Sequence, residues 1–357
     1  MRCLPKLFAA LTGVALIGAS VAAWAQSPQP TMPASQAQAG GSKLTKVTLG
    51  LPTPPSVGSM WFDLAKALGW DKEVGIDLNI QRATGGGAVT ALVVGGGADI
   101  GGGVPDALVN AVAQGQDLVA IWKLQPPGVP VFFVLGRKDS GIQDWKDLKG
   151  KKIGILGPGS ATKYSTDLML VANGVDPKDV EYVSLGGVGA YVEALKAKRV
   201  DAVGSWADPN ERVFKPSPLW QNLTPLAATL YEGDVYLAKR DFVTKHPELA
   251  IAFNAMLLKA MTFYMTYPDR AVDLAKALIP ELASADRETS IQNIIVTRPT
   301  RSLTGLSDPD AMHKYLPLAL KAGLIKGVDP NKFDASKYFL NEYAKAAVDR
   351  VYGLPKR

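Results

Sequence analysis

The stretch GILGPGSATKYS, residues 154 to 165, sets Ser160, Thr162 and Lys163 where an apolar run gives way to a helical pattern. Such a junction can hold an anion, because the free N–H groups of a helix start carry partial positive charge. A P-loop needs G-x-x-x-x-G-K-[ST]. Here Lys163 follows Gly157 and Gly159 at the wrong spacing and Tyr164 comes next, so the metal-binding hydroxyl is missing. A dinucleotide fingerprint needs a third glycine where Thr162 stands. What remains is a sulfonate, carboxylate or similar anion at the Ser160 and Thr162 hydroxyls, or an ordinary Ser160 N-cap with no ligand at all. The two readings share the same helix-end physics and stay open at this point.

Other reactive side chains are scarce. Cys3 is the one cysteine, and the two histidines, His246 and His313, stand far apart with no metal-ligand spacing. Surface or helix-end histidines are the expected reading, so neither a metal centre nor a Ser-His-Asp triad is expected. Without Arg2 and Lys6, 37 basic side chains face 33 acidic ones, scattered among each other. Nucleic-acid binding wants a concentrated basic face, and no nucleic-acid partner is expected.

The elements that carry these residues begin after an export leader. Arg2 and Lys6 precede an apolar run and small residues at Ala23 and Ala25, which reads as a signal peptide over 1–25 with cleavage before Gln26. Residues 26–44 are rich in Pro, Gln, Ser and Ala and read as a disordered lead. Periplasmic location follows, and a chain that loses Cys3 with its leader suits an oxidising compartment. From KVTLGL onward strands alternate with helices, once up to DLVAIWKL and again from KKIGIL to VDAVGSW, before a helical remainder that starts after DVYLAKRDF. The pattern predicts an α/β protein of two lobes, each with a mostly parallel sheet. The expected organisation is 45–136 with 237–352 as the first lobe and 137–236 as the second, with hinges at Leu135 to Lys138 and Tyr236 to Lys239. Small-residue turns close several strands: LPTPPSVGSM, ATGGGAV, IGGGVPD, LGPGSATK, LGGVGAY and SWADPNE. Any one of them can be a plain tight turn. Several at strand ends favour a cleft, since ligands of open α/β sheets sit there.

Taken together, KVTLGL, GIDLNIQRATGGGAVTALVVGGGADIGGG, DLKGKKIGILGPGSAT and EALKAKRVDAVGSWADP resemble the periplasmic solute-binding proteins of the nitrate, sulfonate and taurine group, within the NMT1/THI5-like superfamily. The resemblance covers about residues 45 to 250. It implies the type II periplasmic binding protein fold, hinge closure on one small-molecule solute, no cofactor, and delivery by a monomer to an inner-membrane ABC permease with its ATPase. Carried over by position, the ligand contacts fall on Ser56, Ser59 and Met60, on Gly86 and Gly87, and on Gly103. A second set follows at Ser160, Ala161 and Thr162, and at Trp206 with Asp208. Trp122 is added because it ends a strand, although core packing is the favoured reading of a buried aromatic.

The departures narrow the ligand. No arginine falls in any of these turns, Arg82 and Lys163 being the nearest cations, which disfavours an inorganic oxyanion held by guanidinium forks. An organic solute with an apolar part is expected, an aliphatic sulfonate or taurine-like one first; Asp208 in the cleft would meet an amine, or it could instead cap a helix beginning near Pro209. Nitrate or bicarbonate and a pyrimidine are the alternatives, and a ligand sensor uses the same cleft. Resemblance to the yeast-type pyrimidine synthase implies a cysteine-rich iron-binding stretch with a lysine and a histidine in the pocket; this chain has no such stretch, and no enzyme is expected.

Overall fold

A computed structural model describes residues 44–56, 59–126, 132–186, 189–206, 220–223 and 233–354. The expected leader, the lead up to residue 43, Asp208 and the side chain of Trp206 lie outside the described residues.

Strand β1 (Thr45–Leu51) is buried at Val47 and from Leu49 to Leu51, with Thr48 half-buried, as a strand largely covered on both faces must be. Helix α1 (Trp61–Ala67) follows it, then β2 (Ile76–Arg82), α2 (Gly86–Val94), β3 (Ile100–Gly103), α3 (Pro105–Ala113) and β4 (Leu118–Lys123). The chain then builds a second unit: β5 (Phe132–Arg137), β6 (Lys152–Ile155), α4 (Ala161–Ala172), β7 (Glu181–Ser184), α5 (Gly189–Lys196), β8 (Ala202–Trp206) and β9 (Trp220–Asn222). It returns through β10 (Val235–Lys239) to the first unit.

Two five-stranded sheets result, ordered β2-β1-β3-β10-β4 and β7-β6-β8-β5-β9. β1 runs parallel to β2 in register from Thr45 opposite Ile76 to Leu51 opposite Arg82, and parallel to β3. Each sheet also takes one strand that arrives from the other unit and runs antiparallel to its neighbours. In the first sheet this is β10, between β3 and β4; in the second it is β5, between β8 and β9. The crossings therefore lie between Lys123 and Phe132 and between Asn222 and Val235. Both come earlier than the expected hinges, because Leu135 to Arg137 and Tyr236 to Lys239 are already hydrogen-bonded within the sheets they enter.

The helical remainder covers the first sheet. Helix α6 (Pro247–Thr266) is long and apolar enough to cross a membrane by composition, yet Phe253, Leu257 and Met261 are buried in the core beneath β1 and α1. Phe62 of α1 stacks on Phe253 at 5.3 Å and meets Tyr236 edge-on, also at 5.3 Å. Then come α7 (Pro268–Leu278), α8 (Arg287–Thr297), α9 (Pro309–Lys321) and α10 (Asn341–Tyr352). Met312, Tyr315 and Leu316 of α9 close over α3, and Leu168 from α4 is buried in the same cluster. That single leucine contributes about 2 kcal/mol of burial to the contact between α4 and the first unit.

Candidate ligand-binding cavity

A cavity of about 440 Å³ opens between the two sheets at the turns that end their strands. Seven of the expected site residues line it: Ser56 and Ser59, Gly86 and Gly103, and the trio Ser160, Ala161 and Thr162.

The trio starts α4. Ser160 is its N-cap, with Oγ accepting from Lys163 N at 3.4 Å and donating to Gly157 O at 2.6 Å. Thr162 Oγ1 lies 2.9 Å from Ser160 Oγ and accepts from Leu156 N at 3.0 Å. The capping role and a place in the cavity wall therefore coincide, as the shared physics of a helix end allows.

The glycines act by closeness. A Cβ on Gly86 would lie 3.0 Å from Val104 N, and one on Gly103 would lie 2.7 Å from Leu237 Cδ2. Gly85 has φ +86° and would carry a Cβ 3.3 Å from Gly159 O, so only glycine lets this turn reach the turn before α4. Gly87 belongs to that contact and not to the cavity wall: its N–H donates to Gly159 O at 3.4 Å, joining the two sheets' turns.

Met60 is also a correction, being fully buried in the core beside α1. Its neighbour Trp61 lines the cavity instead, since one step along a helix turns the side chain by about 100°. Trp122 is likewise in the core, 1% exposed, beneath Gly305. Gly305 has φ +66°, and a Cβ there would fall 2.3 Å from the Trp122 ring. Gly305 O accepts from Lys123 N at 2.8 Å and Ser302 N donates to Leu124 O at 2.8 Å, pinning this segment along the end of β4.

The pinned segment delivers the side chain that the sequence did not point to. Arg301 lines the cavity, with its guanidinium carbon 5.4 Å from the centre of the Trp61 ring. Asn293 of α8 lines it too, and its Oδ1 is buried with no hydrogen-bond partner among the described residues. Tyr236 and Gln125 complete the polar groups of this part. Burial holds the Tyr236 phenol well above the usual tyrosine range, and Trp61 Nε1 donates to its oxygen at 3.4 Å, so the phenol stays neutral and able to donate. Asp234, the acidic liner, is tied to Gln125: its carboxylate accepts from Nε2 at 3.4 Å and its backbone N–H donates to Oε1.

The two cations that lie nearest in the sequence serve the scaffold. Arg82 donates to Thr53 O at 2.6 Å and bridges Asp63 on α1 at 2.5 Å, clamping the proline-rich turn after β1. Burial raises the Asp63 carboxyl against the pull of Arg82. Lys163 pairs with Asp167 at 2.6 Å along α4 and lies over the Tyr182 ring. Locally, nothing in RPTRSLTG marks Arg301 for the cavity; only the pairing of its loop with β4 does.

This arrangement, two α/β lobes around a cavity between strand-end turns, is the type II periplasmic binding protein fold. A structure from Bordetella bronchiseptica is similar at 25% identity and TM-score 0.73, over 87% of this chain and 99% of that one. The periplasmic aliphatic sulphonate binding protein of Escherichia coli shares the fold at 19% identity and TM-score 0.63, over 82% and 98%. The chain belongs to the NMT1/THI5-like family, whose profile matches residues 59–271. Among curated relatives, the 4-amino-5-hydroxymethyl-2-methylpyrimidine phosphate synthase THI5 of Saccharomyces cerevisiae is 26% identical over 63% of this chain and 69% of its own length.

Proposed function

We propose that this chain is the extracytoplasmic solute-binding component of an ABC importer, a periplasmic monomer that closes on a small organic solute and hands it to a membrane permease with its ATPase. The observation that carries the reading is the composition of the cavity: its liners come from both sheets, and the chain crosses between the sheets twice. A ligand touching both sets of turns favours the closed arrangement by its differential contacts, which is what hinge closure requires. Membership of the family and the likeness to a sulphonate-binding fold support the same reading. Ser56, Ser59, Gly86, Gly103 and the Ser160 to Thr162 start of α4 supply hydroxyl and backbone contacts, and Trp61, Tyr236 and Arg301 supply ring faces and charge. An organic acid with an apolar part, the aliphatic sulfonates included, answers this set.

Thermal shift of the protein from about Gln26 onward tests the reading. A ligand at about 100 times its Kd should add roughly 2.7 kcal/mol of stability, and small-angle scattering should record compaction on its addition. Ligands that bind without compaction would count against closure. The similarity to yeast synthases supports a second reading, formation of a pyrimidine phosphate. Release of such a product by the purified chain would replace binding with catalysis.

A further inference from the structure

Resting on the solute-binding reading, we infer that the solute is an aromatic organic acid, a ring-bearing carboxylate or sulfonate, with its acid group at Arg301 and its ring among the flat side chains of the cavity.

Size is the first argument. At about 30 Å³ per water molecule, a cavity of about 440 Å³ has room for roughly fifteen waters. A nitrate or a taurine would leave most of that space to solvent and most of the wall without van der Waals partners. Cavities of this volume suit larger organic ligands, bound mainly by apolar surface and oriented by a few polar groups.

Shape is the second. The apolar liners include Pro52, Pro54, Trp61, Phe132 and Tyr236, which are rigid rings with few or no rotatable bonds. Trp61, Phe132 and Tyr236 are each buried and held by their neighbours; Trp61 meets Tyr264 edge-on at 5.6 Å, and Tyr236 meets Phe253 at 5.9 Å. A wall so fixed favours a flat, rigid ligand over a flexible chain, which loses torsional freedom on binding.

Charge is the third. Arg301 is the one basic group among the described liners, and its planar guanidinium matches a carboxylate or sulfonate edge. Asp234 lies in the same wall, its carboxylate accepting from Gln125 Nε2 at 3.4 Å.

Calorimetry on the full mature chain with naphthoate, naphthalenesulfonate, uncharged naphthalenemethanol, decanoate, hexanesulfonate, taurine and nitrate separates the outcomes. The inference expects the two naphthalene acids to bind about tenfold or more tighter than naphthalenemethanol, the scale of one charged hydrogen bond, and tighter than decanoate. It also expects Arg301→Gln to bring the ratio of acid to alcohol affinity close to one. Equal affinity for the acids and the alcohol in the unaltered protein overturns the inference even where Arg301→Gln fails to fold. Binding of hexanesulfonate, taurine or nitrate without the naphthalene acids overturns it and leaves the solute-binding reading standing. No binding by any probe overturns both.

Discussion

Gly86, Gly103 and the Ser160 to Thr162 helix start line the cavity with backbone and hydroxyls, each within a few residues of the strand it follows. Arg301, Asn293 and Tyr236 line it with side chains brought in by β10 and by the helices that follow it. The first set is fixed by local turn chemistry. The second depends on long-range pairing, of Ser302 with Leu124 and of Gly305 with Lys123. Generic anchoring and individual specificity thus have different structural origins in one cavity, and they should fail in different ways.

The largest expected effect lies where the two regions are joined. Asp106 opens α3 just after the Gly103 turn, fully buried, and accepts from the Tyr315 hydroxyl of α9 at 2.5 Å. Burial, against the pull of Tyr315, raises its carboxyl from the ordinary 3.8 to about 7. The folded chain holds this proton more tightly than the unfolded one, so its stabilisation is complete below about pH 4 and lost as pH rises to about 7, roughly 4 kcal/mol in all. Asp106→Asn should therefore match the unaltered protein near pH 4 and gain stability over it by pH 8, read by urea unfolding across about that range. A constant difference at every pH would show that the carboxyl is not held protonated.

Next comes Gly305→Ala, which forces a left-handed backbone onto alanine and a methyl into Trp122, costing about 3 kcal/mol. Affinity for an acidic ligand should fall with it, because Arg301 sits at the head of the displaced segment. Unfolding midpoints and calorimetry together would show whether stability and affinity fall as a pair; unchanged affinity would detach Arg301 from the pinning. Ser160→Ala is the smallest, about 1 kcal/mol for a lost N-cap. A stability loss without a change in affinity would leave Ser160 as a cap and take it out of the binding set.

The sequence pattern shows the turn-built part well and the side-chain-built part hardly at all. Alternating strands and helices, the α4 start at Ser160 and the glycine turns all depend on residues close in the chain, and periodicity reports these. Which side of a helix faces a cavity depends on one residue of register, and so Met60, expected at the ligand, lies in the core while its neighbour Trp61 lines the cavity. Trp122 ends a strand like a ligand contact but lies under a glycine contributed by residue 305, a pairing across more than a hundred residues that no local pattern encodes. Arg301 is hidden for the same reason. The expected hinges lie too late in the chain because an antiparallel strand entering from the other unit reads locally like one that belongs where the preceding chain lies.

The sheet orders also dictate when each half can exist. Every strand of the second sheet lies between Phe132 and Asn222, so all its partners have emerged once Asn222 has been synthesised. The first sheet has a gap between β3 and β4 until β10 arrives at Lys239, and its cover of α6 comes later still. A chain emerging from its N-terminus therefore completes its later half first, and the earlier half waits with an open seam for a strand made after it. Pairings so distant in sequence are the slow ones, which makes the closing of that seam the step at which a holding chaperone would matter most.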